Sequence, residues 1–77
     1  MSIKHFLVVN VSSDVKVSKI KINKLRLLEV NVVTDLESTW AAYVVSSCKK
    51  TAKFIKSINI GAYIINENWI EETITNN

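Results

Sequence analysis

Apolar and polar residues follow one another along this chain in blocks short enough to be single strands and short helices. Phe6 to Val11, FLVVNV, is apolar and β-branched and predicts a buried strand, closed by the polar turn Ser12-Ser13-Asp14. Val15 to Leu28 carries two conflicting periods. Val17, Ile20, Leu25, Leu27 and Leu28 share a helical arc of roughly 160°, with Lys21 and Lys24 inside that arc and Ile22 outside it. Ile20-Lys21-Ile22 and Leu25-Arg26-Leu27 read instead as strand alternation, so the pattern favours a helix only narrowly.

Val30 to Thr34, VNVVT, predicts a second strand, and Asp35 to Ser38 a loop. Thr39 to Val45, TWAAYVV, predicts a third strand that Ser46-Ser47 stops. From Lys49 to Ile60 the apolar residues Ala52, Phe54, Ile55 and Ile58 recur at helical spacing, and Gly61 stands where a left-handed C-terminal cap belongs. Ala62 to Ile65 predicts a fourth strand. Asn66 can cap a last helix carrying Trp69, Ile70 and Ile74 on its inner side, with Glu67, Glu71 and Glu72 placed favourably against the helix dipole. The order β-α-β-β-α-β-α predicts an α/β fold: a four-stranded, mostly parallel sheet flanked by about three helices.

Composition narrows this picture. With 77 residues, 48% apolar and 22% charged, the chain has the make-up of one globular domain, residues 1–77, and no room for a second. A domain this small lies near the lower limit of independent stability, so the expectation is a neighbouring domain in a longer protein, the chain being a fragment or half of a tandem pair. Lysines interrupt every apolar stretch before bilayer-spanning length, and the N-terminus lacks the pattern of a secretory signal; membrane association and export are not expected. The single cysteine, Cys48, suits a reducing compartment.

Charge and chemistry come last. Net charge is +3, gathered in Lys16, Lys19, Lys21, Lys24 and Arg26, and again in Lys49, Lys50, Lys53 and Lys56. Such a face attracts phosphate, on a nucleic acid or on a phosphorylated side chain; the same lysines equally make an ordinary solvated surface. One histidine, His5, and one cysteine form no catalytic or metal-binding group, and a single glycine, Gly61, excludes a glycine-rich nucleotide loop. No enzyme activity, cofactor, metal or small-molecule substrate is expected.

The C-terminal third resembles a BRCT domain. Thr51-Ala52-Lys53 opens a helix, Gly61 follows at a helical spacing, and the run Ala62-Tyr63-Ile64-Ile65-Asn66-Glu67-Asn68 leads to Trp69-Ile70. Phe6 to Val11, Val30 to Thr34 and Thr39 to Val45 are similar to the family's first three strands. Gly61 and Trp69 are then structural, the glycine for a sharp helix-to-strand turn and the tryptophan to anchor the last helix against the sheet and the preceding helix. The resemblance implies a non-enzymatic, nuclear interaction module of DNA repair, the DNA-damage response or a cell-cycle checkpoint. Its partner would be a protein phosphorylated on serine or threonine, or a second BRCT domain.

Family members that read phosphopeptides hold the phosphate with groups that correspond here to Ser12, the N–H of Ser13 and Lys53, supported by Thr51, Lys49 and Lys50. The alternatives are DNA binding through Lys16, Lys19, Lys21, Lys24 and Arg26, or phosphate-independent packing of one BRCT domain on another, which exposed Ile22 or Ile74 would favour. Ser12, Ser13 and Thr51 also suit plain turn and cap roles. Two departures stand out. Leu27-Leu28-Glu29-Val30 has no counterpart of the family's common glycine pair, and Ser13 stands where phosphate-binding members often carry glycine.

Overall fold

The computed structural model describes residues 6–47 and 49–76; His5 and Cys48 lie outside the described residues. The chain runs β1 (Val8–Val11), α1 (Lys19–Leu27), β2 (Asn31–Val33), β3 (Ala42–Val45), α2 (Ala52–Asn59), β4 (Tyr63–Asn66) and α3 (Asn68–Thr75). All strand pairs are parallel, in the order β2-β1-β3-β4, with Val9 opposite Val32 and Ala42, and Val44 opposite Ile65. The expected α/β order and parallel sheet are present.

Both faces of the sheet are covered, which is why the strands read as unbroken apolar runs. Val9, Val11, Val32, Ala42 and Val44 pack with Leu25 of α1 and Trp69 and Ile70 of α3 on one side. Tyr43 and Val45, with Val8, Val33 and Ile64, pack with Trp40 and Phe54 of α2 on the other. Trp69 therefore anchors α3 on the side of α1, beside Phe6 at a ring-centroid distance of 5.8 Å, and not against the preceding helix α2 as expected.

The helix faces depart from the sequence pattern. On α1, Ile20 and Leu27 are 69% and 83% exposed, while Ile22 reaches the core and Leu25 is fully buried. A nine-residue helix lying against α3 buries only the narrow stripe facing its neighbour. On α2, Ile55 and Ile58 are 53% and 58% exposed, and the buried residue is Ser57. Ser57 wins the inner position because its hydroxyl accepts from the Trp40 indole N–H at 3.1 Å and donates to the Lys53 carbonyl at 2.7 Å, satisfying polar atoms an isoleucine would strand.

Helix ends follow local chemistry. Ser18 and Thr51 cap α1 and α2, their hydroxyls accepting from the N–H of Lys21 and Phe54. Asn66 belongs to β4, yet its side chain accepts from the Asn68 N–H at 2.9 Å at the start of α3. Gly61, at φ 71°, closes α2 in the left-handed conformation. Glu29, at φ 65°, does the same for α1, supplying the turn where the expected glycine is missing.

Candidate functional site

The chain leaves β1 through α1 on one face and β3 through α2 on the other, so the loops after these adjacent strands diverge at their carboxyl ends. In open parallel sheets such a divergence is where ligands bind. Three segments meet there: Ser12-Ser13-Asp14 after β1, Ser46-Ser47 after β3, and the amino end of α2 from Thr51.

Ser12 continues the β ladder, its N–H donating to the Val44 carbonyl at 2.8 Å and its carbonyl accepting from Val15 at 3.1 Å. Alternation along β1 places Ser12 in the row of Val8 and Asn10, on the α2 side of the sheet. Only 7% of it is exposed. Ser13 is exposed in the turn and does not need glycine there: among the described residues, the positive φ angles belong to Glu29 and Gly61. The substitution of serine for glycine leaves its N–H unstrained.

Thr51 is the N-cap of α2, and its hydroxyl lies 3.4 Å from the Tyr43 hydroxyl, which fixes the start of the helix to β3. Lys53 follows in the first turn, half-buried, on the same side of the sheet as Ser12. Lys49 and Lys50 are exposed in the loop leading to it.

Asp14 occupies the middle of this end of the domain. Its carboxylate accepts from the N–H of Ser46 at 3.5 Å, the N–H of Ser47 at 3.4 Å and the Ser47 hydroxyl at 3.2 Å, joining loops 33 residues apart. The Ser12 hydroxyl, foremost, and these Ser46 and Ser47 donors hold its carboxyl below the usual aspartate value, against a partial loss of solvation. At the outer margin the Ser46 hydroxyl donates to Glu67 at 3.4 Å. Asp14, Ser46, Ser47 and Glu67 were not among the sequence candidates. Their only signal was a serine pair closing each of two strands, which becomes a site only once β1 and β3 are known to be neighbours.

The basic stretch is arranged differently. Lys16, Lys19, Lys21, Lys24 and Arg26 are all exposed, and Lys21 pairs with Glu71 of α3. An open groove of ≈ 250 Å³ between the β1–α1 loop and α3 is lined by Lys16 and Lys21 but also by Glu67 and Glu71, so its charges offset one another. Ile22 and Ile74 pack onto the core; the exposed large apolar residues include Ile20 and Leu27 on α1, Ile55 and Ile58 on α2, and Leu7 and Tyr63 at the sheet.

A small parallel sheet with α1 and α3 on one face and α2 alone on the other, its α2 opened by Thr51 and closed by Gly61, and its α3 anchored by Trp69, has the architecture of a BRCT-type module. The family described as Regulator of Ty1 transposition protein 107 BRCT domain matches residues 3–77. The chain belongs to the BRCT-domain family, a family of protein-interaction modules. No curated protein and no solved structure matches it.

Proposed function

We propose that this domain reads a phosphorylated serine or threonine on a partner protein, at the carboxyl ends of β1 and β3. The observation that carries this reading is that the hydroxyl of Ser47 and the N–H groups of Ser46 and Ser47 already converge on one oxyanion, the Asp14 carboxylate, in the turn that begins at Ser12. Donors placed to satisfy a carboxylate suit a phosphate equally well, and a dianion gains more from them. Ser12, the Ser13 N–H and Lys53 are the groups we assign to the phosphate, with Thr51 holding the helix end and Lys49 and Lys50 adding attraction without geometry. Membership of the family supports a nuclear role in DNA repair or checkpoint signalling as part of this proposal.

A second reading is phosphate-independent packing on another BRCT domain, favoured by the exposed Ile55 and Ile58 on α2. One NMR titration separates these readings and DNA binding. With a phosphoserine peptide, amide shifts should cluster at Ser12, Ser13 and Lys53 and vanish in Lys53→Ala. Shifts caused only by a 5′-phosphorylated duplex, spread over residues 16–26, would replace the proposal with DNA binding. No response to either would leave domain packing.

A further inference from the structure

The solvent face of α1 has a composition that neither the core nor the candidate site explains. Ile20 and Leu27 are 69% and 83% exposed. At 3.6 residues per turn they fall within about 20° of one another around the helix and about 10 Å apart along it. Lys24 lies between them in the same stripe with Asn23 beside it, and Lys19 and Arg26 form the rim away from α3; these four are exposed. We propose that this stripe is a second docking surface, and that its occupant is an acidic segment of a partner protein. The segment's apolar side chains would cover Ile20 and Leu27 while its carboxylates meet Lys19, Lys24 and Arg26. The surface lies on the opposite side of the sheet from α2, so it stands apart from the phosphopeptide reading.

Charge complementarity selects this occupant. Residues 18–28 contain no acid, and Lys21 with Glu71 of α3 is the one ion pair of α1 among the described residues. Lys19 and Lys21 stand in the first turn, where the helix dipole disfavours cations, and no acidic residue of that turn offsets them. Local choices that weaken a helix without serving the core mark a functional surface. A nucleic-acid backbone would satisfy the cations and leave Ile20 and Leu27 uncovered. A second copy meeting this one α1 to α1 would set Lys24 against Lys24. Two apolar side chains on a helix fixed to the domain through Leu25 are too few for stable anchoring in a bilayer. A segment with carboxylates around apolar residues one or two turns apart uses both features of the stripe.

The test is an NMR titration of the labelled domain with a synthetic helical peptide of about 20 residues, leucine along one face and glutamate elsewhere, long enough to form a helix alone. Amide shifts should gather on residues 19–27. Leu27→Ser and Lys24→Glu should each weaken binding on the order of tenfold, as should serine in place of the peptide's leucines. Amide spectra report whether each variant is folded. On the unmodified chain, nuclear Overhauser contacts should join the peptide's leucine methyls to those of Ile20 and Leu27. Parallel titrations use an unphosphorylated DNA duplex and vesicles of equal parts phosphatidylcholine and phosphatidylserine.

Peptide binding that Leu27→Ser leaves unchanged, or shifts confined to Lys49, Lys50 and Lys53, would overturn the proposal, since either outcome is attraction between charges without a docking surface. No response to the peptide would overturn it as well. A duplex that moves the same amides at lower concentration than the peptide would replace the acidic segment with nucleic acid. Vesicle binding that Leu27→Ser abolishes, without peptide binding, would replace it with an anionic lipid surface.

Discussion

Two helices of this domain end in the same hydrogen-bonded turn, one on glutamate and one on glycine, and opposite effects are expected from exchanging them. After α1, the Glu29 N–H donates to Arg26 and the Val30 N–H to Leu25, both at 3.0 Å. After α2, the Gly61 N–H donates to Ile58 at 3.2 Å and the Ala62 N–H to Ser57 at 2.9 Å. Both are Schellman caps, and their central residues have φ of 65° and 71°. A residue with a Cβ in this conformation costs roughly 1–2 kcal/mol, whereas glycine adopts it freely but loses about 0.5–1 kcal/mol more in chain entropy on folding.

The difference leaves Glu29→Gly stabilising and Gly61→Ala destabilising, each by about 0.5–1 kcal/mol. Packing should not disturb this balance, since Glu29 is exposed and a Cβ on Gly61 would meet nothing within 4 Å. For a domain of this size the Tm should move by roughly 2–8 °C, upward in the first case and downward in the second. Urea denaturation followed by circular dichroism gives the free energies, with an unchanged slope showing that the unfolded state is unaltered. A Glu29→Gly protein no more stable than wild type, at the same slope, would refute the argument that the missing glycine strains this helix end.

Further consequences concern the α2 face and the acid limb of stability. Ser57→Ala removes the acceptor of the buried Trp40 indole N–H and should cost about 1–3 kcal/mol in urea denaturation monitored by tryptophan fluorescence. Asp14 and Asp35 both have carboxyl pKa values below the ordinary 3.8, Asp35 chiefly through the Ser38 hydroxyl and N–H. A lowered folded pKa means that their contribution is fully present above 3.8 and is lost as pH falls through the lower folded values. Melting temperatures measured from pH 5 downward should therefore decline below about pH 4, and Asp14→Asn or Asp35→Asn should each flatten that decline.

The legible parts of this fold were those where chemistry is local. Thr51 capped α2 because a hydroxyl beside free helix N–H groups has one favourable use, and Gly61 took the left-handed turn that follows. Predicted strand limits ran long, as at Thr39 to Val45 against β3 at Ala42–Val45. Trp40 is apolar and buried as a strand residue would be, yet it lies before the ladder and serves α2. The ambiguous stretch from Val15 to Leu28 contains a helix only from Lys19, because Val15 is buried within the loop that carries the chain away from β1.

The candidate site was legible only in part for the same reason. Ser12, Ser13, Thr51 and Lys53 could be named from their order in the chain and their likeness to a family. Asp14 could not, because a carboxylate in a polar turn looks solvated until the strand 33 residues away is placed beside it. The sequence by itself determined the succession of elements, the Thr51 and Gly61 caps of α2 and the family, since each depends on residues near one another along the chain. Tertiary structure alone decided that α2 turns Ser57 inward and Ile55 and Ile58 outward, and that Asp14 sits among the donors of Ser46 and Ser47. Those outcomes depend on which strands lie side by side, a relation set by packing across the sheet and not by the spacing of residues within any one element.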